Sequence, residues 1–191
     1  MTEKELSVRE SEIGDLEKIV DYFLNSDKDY LFGMGVDSKK LPSREEWLNI
    51  LSSDFHLSPD TKKFYYITWL LDDEPVGHSN INKIVFGEEA YMHLHLWQSE
   101  KRQKGTGSSF LKMTLPYYFN KFKLKTLYCE PSALNPAPNN TLKKLGFDFI
   151  KSYDTIPGWI NFYQTVNRWS MPSEKFSLLY SAWYQNDKQM K

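Results

Sequence analysis

Between Tyr91 and Asn120 the chain passes from strict alternation, through a basic glycine-bearing turn, into helical spacing. The alternation predicts a strand with Tyr91, His93, His95 and Trp97 on one face and Met92, Leu94 and Leu96 on the other, the apolar face meeting the core. From Ser108 to Asn120 the apolar residues recur with helical spacing. Pro116 lacks the N–H that would bond the Lys112 carbonyl, so it is expected to kink or shorten that helix. Arg102-Gln103-Lys104-Gly105-Thr106-Gly107 joins the two elements. A strand, a tight turn and a helix in this order restrict the chain to a layered arrangement of sheet and helices.

The flanking segments fill in that arrangement. Leu6 to Glu10 reads as a first strand, and Leu16, Ile19, Val20 and Phe23 lie on one face of a helix from about Asp15 to Leu24. Leu31 to Lys40 reads as a glycine-containing loop. Ser43 and Glu46 form a capping-box pattern ahead of Trp47, Ile50 and Leu51, which predicts a second helix. Phe64 to Leu71 and Val76 to Val85 are rich in β-branched and aromatic residues, and the turn residues between them make an antiparallel hairpin. Leu124 to Cys129 is a strand. Asn135 and Pro136 open a short helix that Gly146 closes, and Phe147 to Tyr153 and Trp159 to Trp169 supply two more strands. The expected order is β-α-α-β-β-β-α-β-α-β-β, a mixed α/β layer, with Ser173 to Lys191 as a short helix or loose tail.

With 24 Lys and Arg against 25 Asp and Glu, the 191-residue chain carries a net charge of −1, which argues against a broad basic face for nucleic acid. One cysteine, Cys129, excludes an intramolecular disulfide framework and fits a reducing, cytoplasmic setting. Phe64 to Leu71, the most apolar stretch, is far short of the ~20 residues that span a bilayer, and Met1 to Glu10 lacks the apolar region of a signal peptide. No membrane partner is expected.

The basic turn is where chemistry concentrates. Glycines let a backbone turn sharply and approach a ligand, and the first N–H groups of the following helix, with its positive dipole end, favour an anion. Lys101, Arg102 and Lys104 add cations at the same place, suiting a pyrophosphate. The alternative is a plain solvent-exposed turn. Neither G-x-x-x-x-G-K-[ST] nor G-x-G-x-x-G is present, because position 110 is Phe110, so triphosphate hydrolysis and dinucleotide redox chemistry lose support.

Arg102 to Gly107 resembles the [QR]-x-x-G-x-[GA] loop of the GNAT superfamily of acyl-CoA-dependent acetyltransferases, which lies between the fourth strand and the next helix. Asn135 followed by Leu142-Lys143-Lys144-Leu145-Gly146-Phe147 resembles N-x-x-S-x-x-x-L-x-K-x-G-F, the pattern of the branch containing the ribosomal-protein N-acetyltransferases. The resemblance implies an N-acetyltransferase domain over residues 6–170, with 171–191 as a tail. It implies a mixed, mostly antiparallel twisted sheet of about six to seven strands flanked by about four helices and splayed between its fourth and fifth strands. The implied activity is transfer of acetyl from acetyl-CoA to a primary amine on a small molecule or peptide, in a monomer or homodimer. The alternative is a non-catalytic or other acyl-CoA-binding module of the same fold.

The resemblance also assigns positions. The backbone from Gln103 through Lys104, Gly105, Thr106 and Gly107 to Ser108 would cradle the CoA pyrophosphate beside Arg102, and Leu96 and Trp97 would pair with the pantetheine. Asn135 would approach the cofactor, though a plain N-cap explains it as well. Pro138 stands where Ser or Ala is usual, and Leu142 where many relatives carry a thiolate-protonating Tyr.

For acid–base work His93 is the leading candidate, nine residues before Arg102, with His95 on the same face and Tyr91 able to assist. The alternative is that both are sheet residues bonded to neighbours. His-x-His also suits a metal, but no third ligand is evident nearby, so none is expected. Cys129 reads as an inert packing residue, and His56 and His78 as surface residues. Most of the aromatics are expected in the core, with Phe32 and Met34 shaping an acceptor pocket.

Overall fold

The structure, a computed structural model, describes residues 5–97 and 105–189. Its strands are β1 (Leu6–Glu10), β2 (Tyr65–Leu71), β3 (Glu74–Val85), β4 (Glu89–Leu96), β5 (Thr126–Cys129), β6 (Asp148–Thr155) and β7 (Gln164–Pro172). Its helices are α1 (Asp15–Leu24), α2 (Lys28–Gly33), α3 (Arg44–Phe55), α4 (Thr106–Phe122), α5 (Pro136–Lys144) and α6 (Ser173–Gln189), with one 3-10 turn at Ser38–Lys40. The seven strands form one sheet in the order β1-β2-β3-β4-β5-β7-β6. Only β4 and β5 run parallel; the other neighbours are antiparallel. The β4–β5 ladder ends at Met92↔Cys129, while β4 itself runs on to Leu96.

The period of two sorts the sheet into two faces, each with its own core. Tyr65, Ile67 and Trp69 of β2 line up across the strands with Ile81 and with Met92 and Leu94, and this face packs against α4, α5 and the start of α6. The Trp69 indole stacks on Phe110 at 5.0 Å and donates to Thr114 Oγ1 at 2.9 Å, pinning α4 to the sheet. Tyr66, Thr68, His78, Asn80, His93 and His95 occupy the opposite face, beneath the smaller core built by α1, α2 and α3. Asp15 at the start of α1 accepts from Arg9 at 2.6 Å, Thr68 at 2.9 Å and the Glu12 amide at 2.9 Å, tying that helix to β1 and β2.

Several expectations take their observed form here. The capping box of Ser43 and Glu46 is formed at the head of α3, and Asp72 and Asp73 turn the β2–β3 hairpin with φ of 51° and 63°. Pro116 does not shorten α4, which runs on to Phe122, because Phe110, Leu111, Leu115, Phe119 and Phe122 bury against the sheet and outweigh one lost hydrogen bond, a cost of about 3 kcal/mol. The loop expected from Leu31 holds the end of α2, capped by the Asp27 side chain. The C-terminal segment is a 17-residue helix, not a short one, and Phe176 anchors it by stacking on Phe119 at 4.3 Å.

The strand expected from Trp159 begins only at Gln164. The preceding residues bind the 35–37 loop instead: Asn161 and Gln164 both donate to the Gly35 carbonyl at 2.8 Å, and Asp37 N donates to the Ile160 carbonyl at 2.8 Å. Gly35 has φ +81°, and a Cβ there would lie 2.1 Å from Gln164 Oε1, so this strap requires glycine.

Candidate active site

The β4–β5 splay opens onto a cavity with about 170 Å³ open to the centres of water-sized molecules. Its walls come from both sides of the splay: Met92 to His95 on β4, and Cys129 to Ser132 at and beyond the end of β5. Asn135 and Pro138 at the head of α5, the α1 and α3 side chains Phe23, Trp47 and Leu51, and the 157–164 strap complete it.

His93 sits at the splay, cross-strand from Asn80. Its Nε2 is shielded from solvent and has no hydrogen-bond partner among the described residues; the same holds for Asn82 Oδ1, a second atom in the cavity wall. Burial, reinforced by the Lys83 ammonium and opposed by Glu130, pushes the His93 pKa down to about 4. The imidazole is therefore neutral at pH 7, and with its proton on Nδ1 it presents a lone pair at Nε2. Two unsatisfied acceptors on one cavity, each costing about 1–3 kcal/mol when left unpaired, suit a ligand that brings N–H groups.

His95 also lines the cavity, stacked on its cross-strand partner His78 at 4.9 Å. The expectation that His78 is a surface residue is overturned: it is 1% exposed on β3. Its Nδ1 accepts from the Trp97 indole N–H at 2.8 Å, and burial, then the neighbouring histidines, lower its pKa well below the ordinary value. Because an indole N–H only donates, that nitrogen carries a lone pair and His78 is neutral. Tyr91 lies off the cavity lining, its ring 5.3 Å from Tyr128 and 5.7 Å from the Arg168 guanidinium. Glu130 does line it; its carboxylate is bound by Arg168 Nε at 2.5 Å and accepts from Tyr153. Cys129 is buried in the wall, and burial and Glu130 raise its thiol pKa, which keeps it protonated and unreactive.

Of the turn expected to bind an anion, Arg102, Gln103 and Lys104 lie outside the described residues. Gly105 forms the N-cap of α4 with φ +99°, a left-handed backbone that favours glycine, and makes no side-chain cap. The amides of Thr106, Gly107 and Ser108 therefore head a 17-residue helix without intrahelical acceptors. A Cβ on Gly107 would meet nothing within 4 Å, which leaves open space beside the helix end, and Lys144 Nζ lies 3.8 Å from where a Gly105 Cβ would stand. These features fit a phosphate-bearing ligand.

At the end of β4, the Trp97 amide donates to the Val76 carbonyl at 2.9 Å, which puts that main chain on the β3 side. By alternation Leu94 and Leu96 direct theirs toward the splay. Asn135 lines the cavity and caps α5, accepting from Ala137 N at 3.3 Å. Leu142 is fully buried in the core below α4 and does not line the cavity. A Tyr there would overpack the core before it reached a thiolate.

Sequence reasoning missed much of the acceptor side. Met34 lines the cavity as expected, but Phe32 is 67% exposed and stacks on Phe162 outside it. Trp47 belongs to the core under α1 and α3 and also forms cavity wall, as do Tyr66 and Trp159, and Trp159 is 49% exposed at the mouth. The one available signal was the pair of glycines at 33 and 35, which marks the loop that the strap covers.

A splayed mixed sheet with a helix N-terminus at the turn after β4 is the architecture of the GNAT acetyltransferases. The family model described as the acetyltransferase (GNAT) domain matches residues 5–148, and the chain belongs to that family. No curated protein matches the sequence. Among solved structures, the spermidine N-acetyltransferase of Vibrio cholerae in complex with CoA and spermine has a TM-score of 0.73 at 19% identity, covering 90% of this chain and 98% of that one. RimL, a ribosomal L7/L12 alpha-N-protein acetyltransferase in complex with CoA, has a TM-score of 0.71 at 16% identity, covering 89% and 95%. An uncharacterized Bacillus halodurans protein has a TM-score of 0.70 at 15% identity, covering 96% and 92%. These likenesses establish a shared fold.

Proposed function

We propose that this chain transfers the acetyl group of acetyl-CoA to a primary amine by direct attack, with no covalent intermediate on the protein. The observation that carries the reading is the pair of orphan acceptors, His93 Nε2 and Asn82 Oδ1, on a cavity that opens where β4 parts from β5. The relatives that bind CoA and act on amines support it.

When bound, acetyl-CoA supplies the activated thioester carbonyl. The amides of Thr106, Gly107 and Ser108, with Lys144 and the adjacent Arg102, Gln103 and Lys104, would hold its pyrophosphate, and the Leu94–Leu96 edge its pantetheine. His93 accepts one amine N–H and holds the nitrogen lone pair toward the carbonyl. Because its pKa lies near 4, His93 stays neutral across pH 5–8 and passes a proton on instead of retaining it. As the new C–N bond forms and the C–S bond breaks, the CoA sulfur departs as thiolate, and the amine proton passes by way of His93 or water to that sulfur, giving amide and CoA thiol. Cys129, buried and protonated, takes no part.

The test is a thermal melt with acetyl-CoA, followed by thiol release and product mass with a panel of amines. A raised Tm and an acetylated amine are expected. A melt unmoved by acetyl-CoA, or stabilisation without acetylation of any amine, overturns the reading.

A further inference from the structure

The cavity also bears on which amine enters. Among the described lining residues the only charged side chain is Glu130, and its carboxylate is already engaged by Arg168 and Tyr153. The next buried carboxylate, Asp54, lies off the wall and accepts the amides of Lys63 at 2.7 Å and Phe64 at 3.0 Å. Beyond His93 the sheet side of the wall carries His78, Asn80 and His95, while Phe23, Trp47, Leu51 and Tyr66 give it an apolar and aromatic surface, and Trp159 meets Trp47 edge-on at 5.8 Å at the mouth.

This lining discriminates by charge. A polyamine would carry at least one further ammonium into the cavity, where burial strips its hydration and no unengaged carboxylate on the described wall compensates it. The aromatic faces offset only part of that cost for each cation. One amine nitrogen is provided for, by His93 Nε2 and Asn82 Oδ1, and the body attached to it meets rings and aliphatic side chains. Burying a Phe- or Leu-sized body against them favours binding.

Resting on the transferase reading above, we infer that the acceptor is a monoamine with an aromatic or branched apolar body and no second positive charge. Such an amine occurs free or as the N-terminus of a peptide that begins with an aromatic residue, and the cavity chemistry is common to both.

The experiment measures kcat/KM for tryptamine, 2-phenylethylamine, a Trp-initiated tripeptide amide and spermidine with acetyl-CoA, and calorimetric binding of each to the CoA-loaded protein. Tryptamine, 2-phenylethylamine or the peptide is expected to exceed spermidine at least tenfold in both, and the ranking of the free amines against the peptide identifies the source. Equal or better turnover of spermidine overturns the inference and leaves the transferase reading standing. Selective binding of the aromatic amines with no acetylation overturns the transferase reading and leaves the cavity's selectivity standing. No binding and no turnover of any of the four overturns both.

Discussion

The two ends of the cleft are built from different material. At the proposed CoA end the recognition elements are main-chain groups: the α4 amides behind Gly105 and the β4 main chain past the end of its ladder with β5, all drawn from one short stretch of chain. At the acceptor end they are side chains, gathered from α1, α3, β2, β3, β4 and the 157–164 strap. A main-chain site tolerates almost any side chain but few backbone changes. A side-chain site behaves in the opposite way, so substitutions at the two ends should separate cofactor binding from turnover.

The largest separation is expected at the acceptor end. His93→Ala should lower kcat about 10²-fold with acetyl-CoA affinity nearly unchanged, measured by steady-state kinetics beside calorimetry. An active variant would reduce the acceptor end to positioning and desolvation alone. Next comes Gly107→Val, which fills the open space beside the helix end and should weaken acetyl-CoA binding tenfold or more, about 1.4 kcal/mol, in a protein that still melts cooperatively. Unchanged affinity would remove the phosphate from the α4 N-terminus.

A third effect is on stability. Folding lowers the pKa of His93 to about 4, and that of His78 also falls, whereas an unfolded imidazole titrates near ~6.5. Below that value the unfolded chain binds more protons, so the contribution of both groups is complete above pH 6.5 and is lost as pH falls toward 4. Thermal melts should show Tm declining across this window, and less steeply in His93→Ala. A flat profile would mean that the buried histidines are not held neutral. The smallest effect is Arg102→Ala, expected to cost less than about tenfold in acetyl-CoA affinity and to matter less at high salt, because the backbone donors remain. A larger, salt-independent loss would shift the phosphate's main support from backbone to side chain.

The same contrast explains what the sequence disclosed. The CoA end was legible because a strand, a glycine turn and a helix are local, and local spacing carries the Gly105 N-cap and the alternation of β4. The succession of elements along the chain, apart from α2, and the capping box of α3 were readable for the same reason. The acceptor end depends on long-range register. His78 looked like a surface residue until its pairing with His95 placed it beneath Tyr22 and Tyr66. Trp159 looked like strand until Asn161 and Gln164 tied its neighbourhood to Gly35. Leu142 matched a motif position, yet its neighbours, not its spacing, put it in the core.

The central claim is that acetyl passes straight from thioester to amine across this cleft. It is tested most directly by a rapid-quench single turnover with isotopically labelled acetyl-CoA and an amine that the protein accepts, followed by mass spectrometry of both amine and intact chain. The account predicts that label appears on the amine at the rate at which CoA thiol is released, with none on the protein at any time. Label accumulating on the chain before the amine, at Cys129 or elsewhere, or thiol released without acetylated amine, would contradict it.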